Sequence, residues 1–134
     1  MKNLLTVLGF ACLTALPATA VDAFTTSRGV RVLPVNDIVY EVVPRGASGT
    51  WNYWCAAAEY ARRELGANWA DRFYVVRGRD VSVTTGRRSS VQFTLYPERA
   101  GVPAKIGWLS LGFQPGESMS VQQGYGYCQD KPTR

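Results

Sequence analysis

Apolar and polar positions follow three different rhythms along this chain. The first is a mostly apolar run from Leu4 to Leu16, preceded by Lys2 and broken by Pro17. The second begins at Thr50. Trp51, Trp54, Cys55, Ala58, Ala61 and Leu65 recur at steps of three and four, which is one stripe of an α-helix, with Glu59, Arg62 and Arg63 on the other side. That spacing predicts a helix with Thr50 as N-cap, Gly66 in the left-handed conformation just past its end, and a Glu59–Arg63 pair one turn apart. It places Tyr53 and Tyr60 off the apolar stripe.

The third rhythm is alternation, the mark of strands. Val30 and Val32 flank Arg31 before Pro34, and Ile38–Val43 is rich in β-branched residues. Phe73–Arg77 and Val81–Thr84 read as further strands. Val91, Phe93 and Leu95 alternate with Gln92, Thr94 and Tyr96, a half-buried pattern. Ile106–Leu111 and Met119–Val121 are two shorter candidates. Glycines and prolines mark the connections: Pro44–Gly49, a Gly86-Arg87-Arg88 turn, and Pro97–Pro103. Arg77-Gly78-Arg79-Asp80 reads as a tight turn with glycine at positive φ. Val21–Arg28 is a polar lead-in, and the last six residues form a frayed tail. The layout predicts an α+β fold, one helix packed on a mostly antiparallel sheet.

The first rhythm changes where this fold is expected to reside. A positive start, an apolar stretch and Ala18-Thr19-Ala20 form the order of a secretory signal peptide, with cleavage after Ala20 or after Ala23. The stretch is shorter than the ~20 residues a bilayer-spanning helix needs. The expected organisation is a signal peptide over 1–20 and a single domain over 21–134, exported to the periplasm or beyond. No later stretch of the sequence is long and apolar enough to span a membrane.

Export gives the cysteines meaning. Cys12 falls within the leader, leaving Cys55 and Cys128, and an exported chain with two cysteines predicts one disulfide. Closing a loop of roughly 70 residues stabilises by about 4 kcal/mol in the chain-entropy picture. The bond would join the helix to the last strand. The alternative is two buried free thiols.

Composition then narrows the chemistry. The 134 residues contain no histidine, which removes Ser-His-Asp and Cys-His nucleophiles and every His-ligated metal or haem site. No metal and no cofactor are expected. Fifteen basic residues stand against ten acidic ones, and twelve of the fifteen are arginine. Arg62/Arg63 on the outer helix face and Arg87/Arg88 on their turn are the anion-binding candidates, with Arg77/Arg79 a third close set. Arginine forks suit carboxylate and phosphate, although paired arginines also occur simply as solvated faces. Trp51, Tyr53, Trp54, Tyr60, Trp69, Tyr74 and Trp108 offer material for a sugar- or base-stacking platform. Core packing explains Trp51 and Trp54 as well. For catalysis, only a carboxylate pair acting on glycosidic bonds survives the composition. Glu41, Glu59, Asp71 and Asp80 are its candidates, and no spacing selects two of them.

Two stretches carry a resemblance: Tyr53-Trp54-Cys55-Ala56-Ala57-Ala58-Glu59-Tyr60-Ala61 and Ser82–Thr94, together with the second cysteine near the C-terminus. They are similar to a group of small, uncharacterised exported bacterial proteins. The resemblance implies export and a shared architecture. It brings no activity and no functional residue with it. Export, the missing catalytic groups and the basic, aromatic-rich composition give the expectation of a non-catalytic binding or inhibitor-like protein. Its basic, aromatic-rich surface would meet an anionic envelope polysaccharide or an envelope protein. A small carboxylate-dependent glycan hydrolase and a structural envelope component are the alternatives.

Overall fold

The structure, a computed structural model, describes residue 9 and residues 11–14, 23–103 and 112–129. Most of the expected leader, the expected strand at Ile106–Leu111, Trp108 and nearly all of the expected tail lie outside the described residues. Among the described residues, six strands form one sheet: β1 (Phe24–Thr25), β2 (Arg31–Pro34), β3 (Val39–Val43), β4 (Arg72–Asp80), β5 (Ser90–Thr94) and β6 (Ser118–Ser120). The order across the sheet is β1-β2-β3-β5-β4-β6, and every neighbouring pair is antiparallel. Helix α1 (Thr50–Arg63) covers one face, and a second short helix, α2 (Val121–Gly126), packs beside it. The expected α+β architecture is therefore present, with one helix more than the pattern suggested. No described helix is long and apolar enough to cross a membrane.

Alternation decides which side chains meet α1. Tyr40 and Val42 of β3, Phe73 and Val75 of β4, and Val91 and Phe93 of β5 point to the helix and form the core with Val32 and Met119. The Tyr40 hydroxyl donates to the Ala57 carbonyl at 3.1 Å, which fixes this face. Trp54, Phe73, Phe93 and Phe113 pack ring against ring at centroid distances of 5.4 to 6.4 Å.

The helix is buried more widely than a single stripe allows. Every residue from Tyr53 to Ala61 is buried. The sheet lies below it, the β1–β2 turn covers one flank, and α2 covers another. Tyr53, Glu59 and Tyr60, expected on the outer side, are thus inside. Trp51 and Leu65, expected inside, are 58% and 46% exposed because they lie at the two ends, beyond the covering elements. The N-cap is Gly49 rather than Thr50, and no side chain caps this end. Gly66 takes φ 67°, as expected after the helix end.

Cys55 and Cys128 form the expected disulfide, closing a sequence separation of 73 residues. Its partner element differs: Cys128 follows α2, so the bond ties helix to helix rather than helix to strand. Gly124 is where these helices touch. A Cβ there would lie 2.8 Å from both Ala58 Cβ and Phe73 Cζ.

Two further expectations change. Val81–Thr84 is a loop, for a reason given below. Gly78 lies within β4, without a positive φ, at one of two register irregularities. Its backbone comes so close to the 112–113 segment that a Cβ would lie 2.9 Å from the Phe113 carbonyl oxygen.

Candidate functional site

Strand register brings three connections to one end of the sheet. Arg31 lies opposite Val43, Val42 opposite Val91, and Asp80 opposite Ser90. The β1–β2 turn, the β3–α1 connection and the β4–β5 connection therefore emerge side by side, next to the start of α1. Each brings exposed arginine: Arg28 from the first, Arg45 from the second, and Arg87 and Arg88 from the third. Arg79, near the end of β4, joins them. Its guanidinium lies 5.1 Å from the Tyr53 ring and 5.4 Å from the Phe113 ring, and reaches Thr50 Oγ1 at 3.4 Å.

Among the described residues, Asp80 is the acidic side chain at the end of β4 beside this rim. The first turn of α1 has no acidic residue, so its partial positive charge adds to the arginines. Asp80 turns back to accept from the Val81 N–H at 2.6 Å. Arg28 and Arg45, with Ser48 and Asn52, line an open cleft of about 410 Å³. Arg28 is held in place by donating to the Cys128 carbonyl at 2.9 Å. Trp51 stands exposed beside the same helix start.

The loop carrying Arg87 and Arg88 is anchored by a carboxylate. Glu41 points away from α1, on the face opposite Tyr40, and is fully buried. It accepts from the hydroxyls of Ser82, Thr84 and Ser90, and from the N–H groups of Thr84 at 2.9 Å and Val83 at 3.3 Å. Hydroxyls at Ser82 and Thr84 that would alternate outward on a strand instead turn inward onto this group, which is why 81–84 is a loop. Burial pushes the Glu41 carboxyl up, but the hydrogen bonds from Ser82, Thr84 and Val83 outweigh it and hold the group below its ordinary value. The irregularity after Val75 brings Arg77 opposite Gln92 on this same face, with a terminal nitrogen 4.0 Å from Glu41. Arg77 also donates to Val81 O and Ser90 Oγ at 2.9 Å each, so it serves the anchor rather than the rim.

The predicted arginine pairs do not form one patch. Arg62 and Arg63 lie at the far end of α1, about 18 Å along the axis from Thr50 at 1.5 Å per residue. Both are engaged there. Arg62 stacks 4.5 Å over Trp69 and donates to the Ala67 carbonyl at 2.9 Å. Arg63 pairs with Glu59 at 3.0 Å, as the spacing predicted, and lies over Phe24. Arg28 and Arg45 carry no sequence signal as anion-binding residues, whereas Arg79 belongs to the Arg77/Arg79 set. Arg28 and Arg45 have no arginine neighbour in the chain, and only strand register gathers them.

The aromatics divide in the same way. Tyr53, Trp54 and Tyr60 are core, Tyr74 is half-buried, and Trp51 and Trp69 are exposed near opposite ends of α1. The four candidate carboxylates are each engaged by neighbouring groups. Glu41 and Glu59 are buried with the sheet between them. Glu59 accepts from the Ser27 backbone N–H at 3.2 Å as well as from Arg63. Asp71 accepts from the Asn68 N–H at 2.8 Å. The sulfurs of Cys55 and Cys128 and a Glu59 oxygen lie within 4.8 Å of one another, but both sulfurs are committed to the disulfide. Comparison with family models, curated proteins and solved structures finds no match for this chain.

Proposed function

We propose that this chain is exported and binds an anionic polysaccharide of the cell envelope through the arginine-rich end of its sheet, without acting on it chemically. The carrying observation is the convergence of Arg28, Arg45, Arg79, Arg87 and Arg88 from three connections and a strand end onto one rim, beside an open cleft. Export is supported by the leader-like N-terminus and by the disulfide, a bond that persists in oxidising compartments. A binding role is favoured over hydrolysis because Glu41 and Glu59 are buried apart and hydrogen-bonded, while Asp71 and Asp80 each hold their own loop.

The test is retention of the mature protein on immobilised dextran sulfate, with neutral dextran as control, in a sodium chloride gradient. Retention on dextran sulfate is expected to fall steeply with salt, since screening lengths shrink to about 3 Å at 1 M. The triple variant Arg45→Glu/Arg87→Glu/Arg88→Glu is expected to bind roughly tenfold or more weakly at 0.1 M salt. Arg63→Gln, at the far end of α1, is expected to bind as the parent does. No retention, retention indifferent to salt, or a triple variant that behaves like the parent overturns the reading.

A further inference from the structure

A second cleft lies at the other end of α1, and its chemistry is different. Trp69, Gln122, Tyr125, Gly126 and Gln129 line about 320 Å³ of open space. This is near the lower end of the range for small-molecule sites, about 300–1,000 Å³. None of the five carries a charge.

The walls are held in place from several directions. The Gln122 N–H donates to the Trp69 carbonyl at 2.9 Å and the Val121 N–H to the Asp71 carbonyl at 2.8 Å, which docks the start of α2 onto the α1–β4 connection. The far end of α2 is tied to α1 by the Cys55–Cys128 bond. Trp69 is 42% exposed, yet its ring is fixed. Tyr125 meets it edge-to-face at 5.1 Å, and the Arg62 guanidinium stacks over it at 4.5 Å. Arg62 is itself held by the Ala67 carbonyl.

We infer that this cleft is a binding subsite for a neutral saccharide. A pyranose ring has an apolar face of C–H groups, which matches the part of the Trp69 indole left exposed beside Arg62 and Tyr125. Its rim of hydroxyls both donates and accepts, and so do the carboxamides of Gln122 and Gln129. An ammonium ligand would find no opposite formal charge among the lining residues, and the nearby Arg62 guanidinium is already engaged by the Trp69 ring and the Ala67 carbonyl. The rings are already ordered, so binding loses little side-chain entropy at the platform. Gly126 keeps one side clear, with nothing within 4 Å of where a Cβ would be. Its Trp69 side lies at the opposite end of α1 from Arg45, Arg79, Arg87 and Arg88, and the two sites make opposite predictions about salt.

The experiment is a titration of the mature protein with cellotetraose and with N-acetylchitotetraose in 0.5 M sodium chloride, followed by tryptophan fluorescence and calorimetry. Saturable binding of at least one sugar is expected, with an emission change that is lost in Trp69→Ala and kept in Trp51→Ala. Trp69→Ala is expected to weaken affinity about tenfold or more, and Gln122→Ala roughly threefold. Arg45→Glu/Arg88→Glu is expected to leave it unchanged. Thermal melts establish that each variant folds. Should Trp69→Ala fail to fold, the exposed substitutions Gln122→Ala and Gln129→Ala decide the matter. Absence of binding by either sugar to about 10 mM, or binding unaltered by these cleft substitutions, overturns the inference. Binding abolished by salt and by the rim variant but indifferent to Trp69 also overturns it, while leaving the rim reading intact.

Discussion

Glu41 shows how much one residue can decide. A carboxylate in the middle of a β-branched run reads as the outward position of a half-exposed strand. Here it is buried and hydrogen-bonded to three hydroxyls and two backbone N–H groups, and it shapes the loop that carries Arg87 and Arg88. Glu41→Ala is expected to destabilise the fold by about 1–3 kcal/mol, because buried donors lose their acceptor. The 81–89 segment should also lose amide-exchange protection. Because the folded group titrates below its ordinary value, its contribution is fully present above the unfolded carboxylate pKa of about 4.3. That contribution is lost as pH falls from there through the folded value. Urea midpoints measured between pH 7 and pH 3 should drop in the parent, and the part due to Glu41 should be missing from the alanine variant.

Among the elements, α1 is the one the periodicity identifies best, and its limits are instructive. Its existence and extent follow from three- and four-residue spacing, because a helix repeats every 3.6 residues whatever surrounds it. Which residues it buries does not follow, because that depends on how many flanks are covered. Glu59 lies on the side opposite the apolar stripe and is only 2% exposed, since Ser27 of the β1–β2 turn closes over it. The second helix is not legible in the sequence for a related reason: six residues with two glycines carry no readable stripe. It is held from outside, by Asp71, Trp69 and the disulfide. Removing that bond with Cys55→Ala/Cys128→Ala is expected to cost about 2–4 kcal/mol. Denaturation with chemical denaturant measures this loss, and α2 should show the earliest amide exchange.

At the scale of the whole molecule, the sheet sorts charge and aromatic surface by end. The start of α1 gathers arginines from connections far apart in sequence, while the cleft on its other side gathers Trp69, Gln122, Tyr125 and Gln129. A ligand that binds only the folded chain stabilises it by mass action, by about 1.4 kcal/mol at ten times Kd. Soluble dextran sulfate at low salt is therefore expected to raise the melting temperature by several degrees, and neutral dextran at equal mass is not. An equal rise in 1 M sodium chloride would argue against an electrostatic rim.

What the sequence determined by itself were the features that local repetition or counting encodes. The helix over the fifties, the main strands, the α+β class and the Cys55–Cys128 pair expected of an exported chain are all of this kind. Each depends on neighbours within a turn or a few residues, or on there being one partner available. The tertiary structure alone decided which arginines stand together, that Glu41 anchors a loop, and that Trp69 meets Tyr125. These depend on strand order and register, which join residues 28, 45 and 88, or 69 and 125, that share no local pattern.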